Sequence, residues 1–194
     1  MKRDFYILGI GMSAGGLQAV SEFFSRFNPD LPVAIVLATH LQESHHAKLL
    51  DILSHKTGMT VETVTADTRL QKGLIYVIGA GLKAVAVQNW LKVSPADPGA
   101  RTIDVLFNSL ALEGGSLLIG MILSGTGNDG AEGLKAISEA GGQVLVQEPF
   151  SALYQSLPRL AIKTDHPDKI LPPIRLATWI NKKLATPQSS DMMI

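Results

Sequence analysis

Short apolar runs alternate with helical patterns along most of this chain, and two of the runs end in a glycine-rich turn. Residues 5–10, 33–38 and 117–123 are apolar throughout or nearly so, which predicts strands buried on both faces. Between the first two runs, apolar residues recur at helical spacing from Leu17 to Phe27. This alternation predicts an α/β fold with a doubly wound, mostly parallel sheet and helices on both faces.

The remaining elements follow the same rhythm except in one stretch. Residues 60–93 contain several short strand patterns separated by glycines and Asn89, which predicts a short antiparallel β excursion. A loop is expected at 94–99. The other predicted elements are helices at 46–53, 103–112 and 131–140, a strand at 143–146, and a final helix that follows two prolines and runs to residue 183.

Composition limits the classes of protein that the chain can belong to. With 194 residues, 46% of them hydrophobic, the chain suits one domain, predicted over residues 1–185 with a flexible tail at 186–194. The formal net charge of zero argues against a nucleic-acid partner. The absence of cysteine excludes a disulfide, a thiolate nucleophile and a zinc site built on sulfur. No signal segment or membrane span is recognisable, so we predict a cytoplasmic protein without membrane insertion.

Each of these three predicted strands is followed by a chemically useful polar residue. Ser13, His40 and Asp129 come directly or shortly after predicted strands. Because the carboxyl ends of neighbouring parallel strands meet at one edge of a sheet, the three side chains are expected to lie close together. A hydroxyl, an imidazole and a carboxylate are the components of a serine hydrolase.

Ser13 has three competing interpretations. In Gly11-x-Ser13-x-Gly15 it suits a nucleophile on a sharp strand-to-helix turn. It could instead cap the following helix, a common role for serine. The same glycines, with Gly9, also fit a relaxed dinucleotide-binding fingerprint, although His40 stands where an acidic residue would bind a ribose.

The other two residues also have plainer alternatives. Neutral imidazole is the usual base for an alcohol nucleophile, so His40 is the predicted base. A metal site formed by His40, His45 and His46 lacks a supporting carboxylate spacing, and the histidines other than His40 are expected to be solvated. Asp129 lies in an Asn-Asp-Gly sequence that is also ordinary turn and cap chemistry.

At these motifs the chain resembles the catalytic domain of the CheB family of chemotaxis receptor methylesterases. The resemblance rests on GIGMSAGGLQA at 9–19, Thr39-His40, IDVLFNSLA at 103–111, LSGTGNDGAEGL at 123–134 and LPRLAI at 157–162. It covers nearly the whole chain, and its serine and aspartate motifs together are specific. The order Ser, His, Asp along the chain differs from that of α/β-hydrolases.

The resemblance implies an activity and a role for each residue. Ser13 would be the nucleophile, His40 the general base and Asp129 the orienting carboxylate, with Ala14 and Thr126 as candidate oxyanion-hole donors. The substrates would be glutamate methyl esters of methyl-accepting chemotaxis receptors, with deamidation of receptor glutamines as a second activity. No metal or organic cofactor is needed, and a separate receiver protein or a methyltransferase is a possible partner.

Several positions depart from the pattern of that family. Thr126 stands where methionine is usual, Thr39 replaces glutamine before the histidine, and Ser156 replaces glycine. Gly79-Ala80-Gly81 replaces a segment that usually contains proline. Because Ser13 is near the start of the chain, no upstream receiver domain is expected. A non-catalytic docking module of the same fold therefore stays open as an alternative, as does a dinucleotide-binding oxidoreductase.

Overall fold

A computed structural model describes residues 4–39, 43–113 and 115–185 of the chain. The predicted tail at 186–194 lies outside the described residues. Ten strands are present in this part of the chain: β1 Tyr6–Met12, β2 Val33–Thr39, β3 Thr60–Val64, β4 Thr68–Arg69, β5 Leu74–Ile78, β6 Leu82–Val87, β7 Trp90–Pro95, β8 Leu118–Ile122, β9 Gln143–Gln147 and β10 Lys169–Leu171. The helices are α1 Gly16–Phe24, α2 Glu43–Lys56, α3 Thr102–Glu113, α4 Ala131–Glu139, α5 Ser156–Thr164 and α6 Pro173–Ala185, with one 3-10 turn at Pro149–Ser151.

Seven strands form one parallel sheet in the order β10-β9-β8-β1-β2-β5-β3. β1 lies at the centre between β8 and β2, and the chain winds outward from it in both directions. Every residue of β1 is buried, as expected for a strand covered by helices on both faces. The predicted doubly wound α/β fold is confirmed.

Side chains that alternate along β1 divide the core into two layers. Leu8 and Ile10 face the layer formed with α1, α2 and α6, where the rings of Phe23, Phe24 and Phe27 make edge-to-face and tilted contacts. On the opposite face, the residues of β1 pack against a second layer of α3, α4 and α5. Because α3 crosses directly over the glycines of β1, it comes close to the carboxyl end of the sheet.

The antiparallel excursion is smaller than the sequence predicts. Its antiparallel part is a three-stranded sheet in the order β4-β7-β6, with Gln88 and Asn89 in the left-handed region at the hairpin turn between β6 and β7. However, β3 and β5, which also lie within 60–93, are parallel strands of the main sheet. The almost continuous burial of β5 explains this difference, because such a strand needs a partner on each side and cover on both faces.

Outside residues 60–93, three elements have no counterpart in the sequence-based prediction: the 3-10 turn at Pro149–Ser151, α5 and β10. α5 begins at Ser156 and includes Pro158 within its first turn, where proline is tolerated. β10 has only three residues, none of them fully buried, at the edge of the sheet. The other predicted strands and helices are confirmed with ends that differ by a few residues.

Candidate active site

The carboxyl ends of β8, β1 and β2 lie side by side at one edge of the sheet. Gly11 of β1 pairs with Ala38 of β2 on one side and with Ile122 of β8 on the other. Thr39, which precedes His40, lies opposite Met12, which precedes Ser13. His40 itself lies outside the described residues. The turns that carry Ser13 and Asp129 therefore leave neighbouring strands at the same edge.

The turn after β1 presents Ser13 without using its side chain as a helix cap. The Ser13 N–H donates to Ser124 O at 3.1 Å, and the Ser13 carbonyl accepts from Gly16 N at 3.0 Å. The N-cap residue of α1 is Gly15, and no side chain caps the helix. These bonds use the backbone of Ser13. No group in the described part of the chain is hydrogen-bonded to its Oγ. The hypothesis that Ser13 only caps α1 is therefore wrong.

Gly15 is required at this turn by its backbone and by its surroundings. Its φ of 74° lies in the left-handed region, which side chains other than glycine rarely adopt. A Cβ atom at this position would lie 2.5 Å from the Oγ of Ser124. The turn that carries Ser13 can therefore pack against the Ser124 side chain only because residue 15 has no side chain.

The two candidate oxyanion-hole residues flank Ser13. Ala14 follows it directly, and Thr126 follows Gly125, whose added Cβ would lie only 3.2 Å from Ser13 Cβ. Within the described residues, neither the Ala14 N–H nor the Thr126 N–H donates a hydrogen bond to another protein group. An oxyanion-hole donor needs an N–H without a protein acceptor, so this arrangement is compatible with the prediction.

Asp129 is held by the N-terminus of a helix distant in sequence. Its Oδ2 accepts from Ile103 N and its Oδ1 from Asp104 N, each at 2.9 Å. The positive end of the dipole of α3 stabilises a negative charge at this position. The cap chemistry anticipated for Asp129 is therefore present, but it serves α3, whereas Gly130 is the N-cap residue of α4.

A second carboxylate, which the sequence-based prediction missed, lies behind Asp129. Asp104 is buried; its Oδ1 accepts from Gly133 N at 2.7 Å, and Arg101 Nη2 lies 2.6 Å from its Oδ2. Burial, followed by the nearby charge of Asp129, raises the pKa of Asp104, and the Gly133 N–H and Arg101 oppose this shift. Arg101 also donates to Asn128 O at 3.0 Å and so holds the turn after β8.

The histidines near the site differ in exposure. His45 of α2 is exposed and faces the cleft beside Ser13. The prediction that His46 is solvated is wrong, because its ring is buried and its Nε2 lies 3.1 Å from Ile78 O. Its position on the inner face of α2, against the end of β5, accounts for this difference.

An open cleft of about 790 Å³ adjoins Ser13. Its walls are the N-terminal turns of α1, one face of α2, and Leu153 and Tyr154 of the segment before α5. Leu153 and Tyr154 are both exposed, so the cleft has an apolar rim next to the hydroxyl.

The glycines of β1 do not serve a nucleotide. A Cβ at Gly9 would lie 3.0 Å from the Phe107 ring, and one at Gly11 would lie 2.5 Å from Ile103 Cγ2. Side chains of α3 thus fill the space that a dinucleotide fingerprint leaves for a pyrophosphate. The oxidoreductase alternative therefore has no support in this arrangement. Among the described residues, no group of three or more His, Asp or Glu side chains could hold a metal ion.

The fold and the strand-end turns define an α/β protein with a serine turn and an aspartate turn at the edge of a parallel sheet. A family model described as CheB methylesterase matches residues 8–180, and the chain belongs to this family. The catalytic domain of Thermotoga maritima CheB methylesterase, a solved structure, has the same fold: the TM-score is 0.83 at 21% identity, over 93% of this chain and 99% of that one.

Full-length relatives carry a more specific name. The protein-glutamate methylesterase/protein-glutamine glutaminase 2 of Xanthomonas campestris pv. campestris is 31% identical, over 86% of this chain and 49% of that protein. The protein of the same name from Methanospirillum hungatei is 30% identical, over 92% of this chain and 52% of that protein. The chain thus spans about half the length of the curated relatives that it matches.

Proposed function

We propose that this chain is a serine hydrolase that removes methyl groups from glutamate methyl esters of chemotaxis receptors. Membership of the CheB methylesterase family supports this proposal, as do the names of the relatives. The second half of those names supports a further activity, the deamidation of receptor glutamines. Both reactions are acyl transfers to water, so one site serves both.

The proposed mechanism begins with attack by Ser13 Oγ on the side-chain carbonyl of the ester. His40 takes the hydroxyl proton as the new C–O bond forms, and then returns it to the methoxy group as methanol leaves. Water, activated by His40, hydrolyses the acyl-enzyme and leaves a glutamate carboxylate. With a glutamine substrate the leaving group is ammonia.

Asp129 would orient the imidazole and stabilise its positive charge. Its two bonds to the N-terminus of α3 support this role because they fix the carboxylate in one orientation. The N–H groups of Ala14 and Thr126 would bind the oxyanion. One such donor contributes about 3 kcal/mol to transition-state stabilisation in comparable sites.

The main observation behind the proposal is the position of Ser13 and the hydrogen bonding around it. It stands at a cleft, its hydroxyl does not cap α1, and the amides beside it lack protein partners in the described part of the chain. A serine kept only for structure would use its hydroxyl in the fold, as buried or capping serines do.

The organisation and setting of the chain form part of the same proposal. Residues 1–185 would make up one methylesterase-like catalytic domain, and its partners would be methyl-accepting chemotaxis receptors. The possible receiver or methyltransferase partner and the cytoplasmic location stay predictions from the sequence. In the described part of the chain, no helix has the length and apolar character needed to span a membrane.

The test is the release of labelled methanol from methylated chemotaxis-receptor membranes. We expect the wild-type protein to release it and Ser13→Ala to fail, with Ser25→Ala as the control because Ser25 lies at the far end of α1 and donates to Glu22 O. Receptor binding without methanol release would instead identify a non-catalytic docking module. Equal release by wild type and Ser13→Ala would rule out the proposed nucleophile.

A further inference from the structure

Ser124 is a buried hydroxyl that the proposed reaction does not use directly. It follows β8, and none of its surface is exposed. Its Oγ lies 2.9 Å from Ala14 O and 3.4 Å from Tyr154 O, and it accepts from Tyr154 N at 3.0 Å. One side chain therefore contacts both the turn that carries Ser13 and the wall of the cleft.

The Ser124 hydroxyl has a single proton, so it donates to one acceptor at a time. With the Tyr154 N–H donating to its oxygen, its own proton goes to the nearer acceptor, Ala14 O. In a trans peptide the carbonyl and the following N–H point in opposite directions. The bond to Ser124 therefore directs the Ala14 carbonyl inward and the Gly15 N–H away from Ser124.

The backbone of Ser124 is anchored as well. Its N–H donates to Gln147 Oε1 at 2.8 Å, and its carbonyl accepts from Ser13 N at 3.1 Å. The Gln147 side chain is buried in turn, and its Nε2 donates to Ser151 O at 3.1 Å. Ser124 thus joins the Ser13 turn to β9 and to the segment that leads to Tyr154.

We infer that Ser124 is a positioning residue, whose hydroxyl sets the orientation of the Ser13 turn against the Tyr154 wall of the cleft. This inference rests on the proposed function, because it concerns the geometry of the same acyl transfer. Without the hydroxyl, the Ala14 carbonyl and the Tyr154 N–H each lose a partner inside the protein. In the described part of the chain, the Ser13 turn would then be held to residue 124 only by the Ser13 N–H bond to its carbonyl, and Tyr154 only by the Gly125 N–H bond to Tyr154 O. With that weaker tie, Ser13 would leave its reactive position.

The chain contains a matched control for this hydroxyl. Ser109 of α3 is also buried; its Oγ accepts from Ala86 N at 2.9 Å and donates to Leu106 O at 2.7 Å. Ser109 thus has the same hydrogen-bond pattern as Ser124, one backbone N–H accepted and one carbonyl bonded. Its partners lie in β6 and within α3, not at the Ser13 turn.

The experiment compares Ser124→Ala with Ser109→Ala, by thermal melting and by methanol release at varied receptor concentration well below Tm. We expect both variants to lose a similar amount of thermal stability, about 2–6 °C in Tm. Only Ser124→Ala should lower kcat, by about 10- to 100-fold, with KM within about twofold. Ser124→Thr keeps the hydroxyl and should recover most of kcat.

Other outcomes separate this inference from the proposed function. If kcat of Ser124→Ala equals that of Ser109→Ala while Ser13→Ala is inactive, the positioning role is wrong and the proposed function stands. If the wild-type protein releases no methanol, both are wrong. Should Ser124→Ala fail to fold, Ser124→Cys replaces it, because sulfur has similar volume but forms only weak hydrogen bonds. Unchanged kcat in that variant would equally overturn the inference.

Discussion

The two turns that leave β1 and β8 end in the same way but hold their candidate catalytic side chains in opposite ways. Each ends at a left-handed glycine that is the N-cap residue of the next helix, Gly15 before α1 and Gly130 before α4, with φ of 74° and 103°. The hydroxyl of Ser13 makes no hydrogen bond to the described part of the protein. By contrast, both oxygens of Asp129 are bound by α3.

The contrast matches what acyl transfer requires of the two residues. A nucleophile must be free to form a bond with the substrate, so a hydrogen bond that committed its oxygen to the fold would slow the reaction. A carboxylate that orients a base is more effective when it cannot move. Both turns therefore end at a left-handed glycine, although the roles proposed for Ser13 and Asp129 differ. The groups around each side chain account for this difference.

The largest effect is expected at Ser13. Ser13→Ala, His40→Ala and the double variant should each lose methanol release by a similar factor, on the order of a thousandfold or more, because the groups act as a unit. Ser13→Ala should leave Tm almost unchanged, since its Oγ is not part of a cap. Activity assays with parallel melting curves provide the check. A loss of stability as large as that caused by removing a helix cap, about 1 kcal/mol, would show that the Ser13 hydroxyl does stabilise the fold. The contrast with Asp129 would then be wrong.

The next effect concerns the backbone donor in the turn after β8. Thr126→Pro should abolish activity, because proline removes the N–H proposed to bind the oxyanion. Thr126→Met keeps that N–H and should preserve most of the activity. Circular dichroism and thermal melting must first show that the proline variant is folded. If folded Thr126→Met is as inactive as Ser13→Ala, the side chain of Thr126 is needed and the backbone assignment is wrong.

Asp129→Asn should affect both activity and stability, unlike Ser13→Ala. An amide has only one oxygen, so one of the Ile103 and Asp104 N–H groups would face an NH₂ group; we expect a loss of about 1–3 kcal/mol in the free energy of unfolding. The loss of activity should be about tenfold smaller than for Ser13→Ala. Denaturant unfolding and methanol release test the two parts separately. Unchanged stability would show that the anchoring to α3 is unimportant.

The smallest effect is a change in pH dependence at Asp104. Its pKa is raised above the ordinary value of 3.8, so the folded protein binds this proton more tightly than the unfolded chain does. Wild-type stability should therefore fall as pH rises from about 3.8 through the raised pKa of the folded state, and stay lower above it. Asp104→Asn cannot ionise and should lack this decline.

The check for Asp104 is Tm measured against pH for both proteins. The difference in Tm, variant minus wild type, should rise with pH across this range and level off above it. A pH-independent difference would mean that Asp104 has the same pKa in both states.

The main fold and the strand-end positions could be predicted from the sequence because both depend on local patterns. Glycine-bounded apolar runs indicate buried parallel strands, and the residues that follow them fall at one edge. β10 and α5 escaped prediction because three exposed residues and a proline-containing helix leave weak periodic signals.

The contacts inside the site could not be predicted in the same way. Asp129 and Ile103 are 26 residues apart, and their hydrogen bond depends on how α3 docks against β1. The hydrogen bond between Ser124 and Ala14 spans 110 residues and needs the left-handed conformation of Gly15. Whether Ser13 is a cap or a candidate nucleophile is decided by the same conformation, which the sequence Ser-Ala-Gly-Gly permits but does not require.

The most direct test of the central claim, that the Ser13 hydroxyl is the nucleophile, is covalent labelling with a fluorophosphonate followed by peptide mass spectrometry. Such reagents phosphonylate an activated serine oxygen and displace fluoride. The account predicts one adduct, localised to Ser13, that appears together with the loss of methanol release and is absent from Ser13→Ala. An active enzyme that remains unlabelled at Ser13, or is labelled at another residue as its activity disappears, would contradict it.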